Sequence, residues 1–267
     1  AIDEEGGRVA RIGRNNSFDV PRFDSMEAVG DTGDPQNAYD AGVAIGSYLS
    51  EYGVDVDFAP VADVNTNPNN IVIGDRAFGS DPELVADMVS AAVDGFHETG
   101  IITSLKHFPG HGDTTGDTHD GYVAVTKTWD ELKNCELIPF VAALDSTDMV
   151  MASHITLPNI TSDGLPASLS YEMLTEKLRG ELGYDGLIAT DSLSMGAIVE
   201  AYTPVESAKL AFLAGADLLL MPEDYIAAFD GMVQAVENGE ITQQRLETSV
   251  LRILALKLRY GVLTPAA

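Results

Sequence analysis

One recurrence constrains this chain more than any other: short apolar, β-branched runs end on a polar or charged residue and give way to a helical stretch. The run at 101–105 ends at Lys106 and His107, that at 148–153 at His154, and that at 186–190 at Asp191. Similar ends fall near Asp3, Pro60 and Met221. Between them, apolar residues recur at helical spacing over 37–52, and Pro82 opens a helix that turns Leu84, Val85, Met88, Val89, Val93 and Phe96 inward. Helices are also predicted over 130–144, 171–182, 204–214, 225–236 and 243–260. Buried strands separated by helices build a parallel sheet, because a parallel crossover needs a helix to carry the chain back. Polar residues at the carboxyl ends of so many strands point to a TIM-type (β/α) barrel, whose site is assembled on that face. A doubly wound sheet is the alternative, but the first βα turn carries no glycine-rich phosphate fingerprint. Six strand ends are counted, and Ile2-Asp3 reads as the end of a strand whose start is missing, so the barrel is expected to lack its first β/α unit in a single domain spanning 1–267.

Composition limits the partners. With 42 acidic and 15 basic residues the net charge is −27. Such a surface repels phosphate backbones and anionic lipid, which argues against nucleic-acid and membrane-surface binding. No stretch reaches the length of a membrane span, and Cys135 is alone, so no internal disulfide or cysteine metal cluster can form. Cys135 is expected to be a small buried apolar residue. Neither a cytoplasmic nor a secreted, wall-associated location is favoured.

The densest chemistry lies in 106–122, KHFPGHGDTTGDTHDGY, which holds three of the five histidines, three aspartates and four glycines. Past the strand end at Lys106 and His107 the glycines and Pro109 make it a loop. Asp117 is close enough to His119 to hold one imidazole nitrogen and free the other for proton transfer. The residues leave other readings open: a solvated polar loop, or a metal site from His107, His111, His119 and Asp113. Asp191 projects from a rigid strand end and serves either as a cap for the next helix or as a nucleophile for an oxocarbenium-like transition state. The long loop 62–82 contains Arg76, one of few basic residues, and ordered loops of that length are often functional.

The segments KHFPGHGDTTGDTH, DEEGGRV, FAPVADVNTNP, IGDRAFGSDP, ASH and ATDSLSMGAI resemble those of the glycoside hydrolase family 3 β-N-acetylhexosaminidases of the muropeptide-trimming kind, from Ala1 to about Leu263. That resemblance implies a retaining exo-enzyme that removes terminal N-acetylglucosamine from peptidoglycan fragments or related glycans, with no metal or cofactor. Asp191 matches the nucleophile, His119 the general acid/base and Asp117 its orienting partner. Asp3, Arg76, Lys106 and His107 match residues that hold the hydroxyls of the non-reducing sugar, with Arg11, His154 and Met195 at neighbouring positions. His111 is expected to support the loop from within, and Tyr122 and Trp129 to be packing residues. Histidine in place of a second carboxylate does not repel an anionic acceptor, so a phosphorylase is an alternative to a hydrolase. A carbohydrate-binding domain without turnover and a metal-dependent hydrolase are others.

Overall fold

The computed structural model describes residues 1–119 and 121–264. The chain folds as two compact units, Ala1–Thr115 with Trp129–Met151, and Gly116–Thr128 with Ala152–Ala267.

In the first unit the helices Pro35–Glu51 and Pro82–Glu98 pack side by side. Each begins with the same device. Asp34 accepts the Gln36 amide at 3.0 Å and Asp81 the Glu83 amide at 3.0 Å, with proline in the first turn, where its missing N–H costs nothing. Their inner faces bring Ile45, Tyr48, Leu49 and Phe96 against Ile101. That residue leads into the strand Ser104–Phe108, buried along its whole length, which is why its sequence reads as a continuous run rather than an alternation. Parallel bridges join Ile2 to Asp57, Val56 to Ile102 and Val61 to Lys106, and the Met149 amide donates to the Thr103 carbonyl at 3.1 Å. The strand predicted to end near Pro60 is present only as isolated bridges, at Val56, Asp57 and Val61, and Pro60 itself has no N–H to add to them. The predicted helix 130–144 is two helices, Trp129–Lys133 and Ile138–Ala143. Pro139, in the first turn of the second, lacks the amide that would continue the first.

In the second unit the strand Leu187–Thr190 is buried throughout and bridges Leu218 in parallel through Ala189. The expected strand 217–221 stops there: the Leu220 amide goes to the Thr190 hydroxyl at 3.1 Å, and Met221 is in the left-handed region with φ 49°. The predicted helix 171–182 is a π-helix, Glu172–Glu181. Thr203 and Glu206 form a capping box at the start of Pro204–Ala214. The helices Tyr225–Glu237 and Gln243–Arg259 follow, and Phe212, Ala235 and Ile241 form a core cluster. Asp217, buried, takes Arg179 of the π-helix at 2.6 Å and the Ser249 hydroxyl of the last helix at 2.5 Å, tying the two together. No helix among the described residues is long and apolar enough to cross a membrane.

Candidate active site

The first unit gathers a charged cluster at the carboxyl ends of its strands. Lys106, 2% exposed, places Nζ 2.8 Å from Asp3 Oδ1 and 2.6 Å from Glu5 Oε1. Glu5 takes a two-pronged contact from Arg76, Nε at 2.8 Å and Nη2 at 2.7 Å. The same Nη2 lies 3.2 Å from His107 Nε2. A guanidinium only donates, so Nε2 accepts, and His107 Nδ1–H therefore donates to Asp63 Oδ2 at 2.6 Å. Asp63 Oδ1 also receives the His111 amide at 2.6 Å. Arg11 stands at the edge, 3.8 Å from Asp3 Oδ2, and Asp3 is the partly exposed member of the group.

The electrostatics follow from this packing. Burial alone would raise the Glu5 carboxyl, but Lys106 and Arg76 outweigh it and hold it down at about 2. Burial likewise opposes the charge on Lys106, and Glu5 and Asp3 overcome it, so the ammonium is held above its ordinary value. At Asp63 burial is outweighed by His107 and His111, which keep its carboxyl low. Asp57 behaves oppositely. It is fully buried, accepts the Glu4 amide at 2.9 Å, and has no partner for Oδ2 among the described residues. Burial prevails over Lys106, so its carboxyl is raised well above the carboxylate range. A raised acid binds its proton more tightly folded than unfolded, so its charge costs stability progressively as pH rises past 3.8. Asp57→Asn, which keeps the acceptor and removes the titration, is therefore expected to leave stability at pH 7 within about 1 kcal/mol of the parent or above it, as read by urea unfolding. A loss of several kcal/mol would mean that the charged carboxylate is needed.

The second unit carries the Asp117–His119 pair and Asp191. Asp117 Oδ1 accepts both the His119 amide at 2.9 Å and His119 Nδ1–H at 2.8 Å. The ring is largely exposed, with its side chain at 65%. Nε2 is left to carry a proton. The Thr118 and His119 carbonyls accept the amides of Ala197 at 3.0 Å and Gly196 at 3.2 Å, at the start of the helix Gly196–Val199. A Cβ on Gly196 would meet the His119 oxygen at 2.5 Å, so only glycine lets the backbones approach this closely. Five residues upstream of Gly196, Asp191 closes its strand: its amide donates to the Ala152 carbonyl at 2.9 Å, and its Oδ1 accepts the Ser192 amide at 2.7 Å.

Two residues at the neighbouring positions, His154 and Met195, are buried, as Lys106 and His107 are. His154, 1% exposed, donates from Nε2 to the Ser192 carbonyl at 2.9 Å, which leaves Nδ1 to accept from the Ser168 hydroxyl at 2.7 Å. It holds the peptide that follows Asp191. Met195, 5% exposed, is the residue that precedes the helix Gly196–Val199. His111 is buried, with Nδ1 2.8 Å from the Thr114 hydroxyl and its carbonyl on Asn70 Nδ2 at 2.8 Å. Beside it a Cβ on Gly112 would strike the Val64 carbonyl oxygen at 1.9 Å, which explains the glycine in PGHG. Trp129 is buried, whereas Tyr122, expected to pack, is 72% exposed. Cys135 is half-buried rather than buried. Among the described residues no group of three His, Cys, Asp or Glu side chains is arranged to hold a metal ion.

Sequence reasoning missed Glu5, Asp63 and Gly196. Asp63 had a signal: an acid just past the apolar run 54–61 repeats the pattern that singled out Lys106 and Asp191. Glu5 carries no such signal, since its neighbour Glu4 is chemically identical in sequence. The structure separates them: Glu4 takes the amides of Arg11, Ile12 and Gly13 and the Tyr48 hydroxyl, and so organises backbone.

Residues 1–256 match the Glycosyl hydrolase family 3 N terminal domain. The chain belongs to this family. The family 3 N-terminal domain is a TIM-barrel-like α/β fold, in keeping with the parallel strand pairing and intervening helices described above. Among curated relatives, the beta-hexosaminidase A of Pseudoalteromonas piscicida is 36% identical over 286 residues, covering 97% of this chain and 47% of that protein. The beta-hexosaminidase LpqI of Mycobacterium tuberculosis is 35% identical over 266 residues, covering 96% of this chain and 67% of its own. Among solved structures, a glycoside hydrolase family 3 beta-N-acetylglucosaminidase from Paenibacillus sp. FPU-7 superposes with a TM-score of 0.93 at 44% identity, over all of this chain and 51% of that one. This family 3 chain thus spans about half the length of the first and third of these proteins.

Proposed function

We propose that the chain is the catalytic domain of a retaining exo-β-N-acetylglucosaminidase that releases terminal N-acetylglucosamine from peptidoglycan fragments or related glycans. The observation that carries this reading is the Asp117–His119 pair fastened by two backbone hydrogen bonds to the segment that follows Asp191. Binding alone has no use for a carboxylate-oriented proton carrier tied to the backbone that follows a strand-end carboxylate. The names of the relatives, beta-hexosaminidase and beta-N-acetylglucosaminidase, point the same way.

In the first step Asp191 attacks the anomeric carbon as His119 Nε2–H protonates the departing oxygen; the glycosidic bond breaks and an ester to Asp191 forms. In the second, Nε2 takes a proton from water, whose oxygen displaces the carboxylate and restores the original configuration. Asp117 steadies the imidazolium of the first stage through Nδ1–H. Asp3, Arg76, Lys106 and His107 supply charged hydrogen bonds to the sugar hydroxyls, and that orientation carries much of the rate. His154 and Met195 serve indirectly, by fixing the backbone on which Asp191 and the helix Gly196–Val199 sit.

The test is turnover of p-nitrophenyl β-N-acetylglucosaminide beside the β-glucoside, with and without phosphate. Release of p-nitrophenol from the N-acetyl substrate, with free sugar as product even in phosphate, is expected. Sugar 1-phosphate as the product would replace hydrolysis by phosphorolysis, and no turnover by folded protein would remove the catalytic reading.

Gly196 provides an internal check. Gly196→Ala is expected to lift His119 from its seat, lowering kcat/KM roughly tenfold to a hundredfold for alkyl or sugar leaving groups and much less for dinitrophenolate, which departs without a proton. Equal losses on both would show that the glycine matters to folding rather than to proton delivery.

A further inference from the structure

The recess behind the charged cluster departs from the rest of the molecule in its charge. Residues 6–23 contain Arg8, Arg11, Arg14 and Arg22 against the single acid Asp19, a local balance of 4 − 1 = +3 in a chain of −27. Three of these arginines, Arg8, Arg14 and Arg22, line one cavity of about 400 Å³, with Phe23 and Tyr48 as aromatic wall and Gly6-Gly7, which directly follow Glu5, as its edge.

The three are not equivalent. Arg8 is spent: Nε pairs with Asp75 at 2.9 Å, and Nη2 donates to the carbonyls of Ile71, Val72 and Ile73 at 2.8–2.9 Å. It is a fixed wall. Arg14 makes one hydrogen bond, Nη1 to the Arg8 carbonyl at 3.0 Å. Arg22 makes two, Nη1 to Asn16 Oδ1 at 3.0 Å and Nη2 to the Phe18 carbonyl at 3.2 Å. Both side chains are exposed, and those bonds tether each guanidinium at one or two points while leaving most of its N–H donors unused; among the described residues neither has a carboxylate partner, although acids outnumber bases 42 to 15. Asp24 also reaches the cavity wall but forms no ion pair with either. A cavity with two tethered, uncompensated guanidiniums and an aromatic wall is complementary to an anion carried on a small organic body.

We infer that this recess is a binding site for a carboxylate- or phosphate-bearing ligand, held by Arg14 and Arg22. The shared chemistry is an oxyanion, and it has two sources: a free small acid, or an acidic group on the aglycone of the substrate. The second source rests on the glycosidase reading above; the first does not.

Two arms separate them. Calorimetric titration with citrate and with inorganic phosphate at constant ionic strength compares the parent, Arg14→Gln/Arg22→Gln, and Lys133→Gln as a charge control. Binding weakened roughly tenfold or more in the double variant and unchanged in the control is expected. The kinetic arm compares a nitrophenyl glycoside with its carboxylated analogue. A lower KM for the carboxylated substrate, erased in the double variant with kcat kept, places the anion on the aglycone. Binding of the free acids with equal KM values makes the ligand a separate small acid. Absence of both effects, or binding that survives in the double variant, overturns the site. Failure of both glycosides to turn over removes the glycosidase reading and leaves the titration to decide this one.

Discussion

Asp191→Ala is expected to lower turnover of p-nitrophenyl β-N-acetylglucosaminide by on the order of a thousandfold or more, since without the carboxylate no glycosyl ester can form and the oxocarbenium-like charge goes unopposed. The loss by itself does not separate nucleophile from structural prop, because the Asp191 side chain also takes the Ser192 amide. External azide makes the distinction. In Asp191→Ala the acid His119 remains and azide enters the space the carboxylate vacated, so the product is the α-glycosyl azide. In His119→Ala the ester still forms from an activated substrate, and azide then displaces Asp191 to give the β-azide. Opposite anomers from the two variants, read by nuclear magnetic resonance, would fix both roles. The same anomer from both, or an Asp191→Ala protein that keeps more than about a tenth of parental activity, would sink the assignment.

Lys106→Met is expected to cost on the order of 3–5 kcal/mol in chemical unfolding, the largest stability effect in the molecule, because it removes one partner from a buried ion cluster and leaves the other charged. Lys106 lies between Asp3 and Glu5, and Glu5 then depends on Arg76 alone. The pH dependence carries a sign. Glu5 has its carboxyl lowered from 4.5 to about 2, so its contribution is present above 4.5 and is lost as pH falls toward 2. In Lys106→Met that lowering shrinks, and the gap between variant and parent is expected to narrow over the same interval. A penalty below about 1 kcal/mol at pH 7, or one that does not change with pH between 4.5 and 2, would show that the cluster does not stabilise the fold.

The charged cluster and the recess behind it place opposite demands on one short stretch. Asp3 and Glu5 are held by the cations Lys106 and Arg76, while farther along Arg14 and Arg22 lack anionic partners among the described residues. The net charge of −27 therefore describes the surface as a whole and not the places where ligands are expected to sit.

Much of the architecture could be read from the order of residues. Apolar runs broken by helical periodicity gave the alternation of strands and helices, and Asp191 directly follows its strand, whereas Lys106 and His107 lie inside the strand Ser104–Phe108, which runs past the predicted end. Period and turn chemistry are local, so one sequence suffices to see them. The failures were also physical. A strand needs a partner with a free ladder, and nothing in 217–221 announced that the Leu220 amide would go to the Thr190 hydroxyl instead. Helix 130–144 was interrupted by Pro139, whose effect the apolar spacing concealed.

What the sequence determined by itself was the kind of fold and the chemical inventory: which side chains sit at strand ends, and that Asp117 and His119, two residues apart, could pair. What only the tertiary structure decided was who meets whom. Glu4 and Glu5 are adjacent and chemically identical, yet one is consumed by backbone amides while the other joins Lys106 and Arg76, residues about 70 to 100 positions away. His107 and His154 both come after buried apolar runs in the sequence, yet one meets Arg76 and Asp63 and the other disappears beneath Ser192. The reason is that burial and charge pairing are set by contacts distant along the chain, and a carboxylate or imidazole takes its role from the groups folding brings against it.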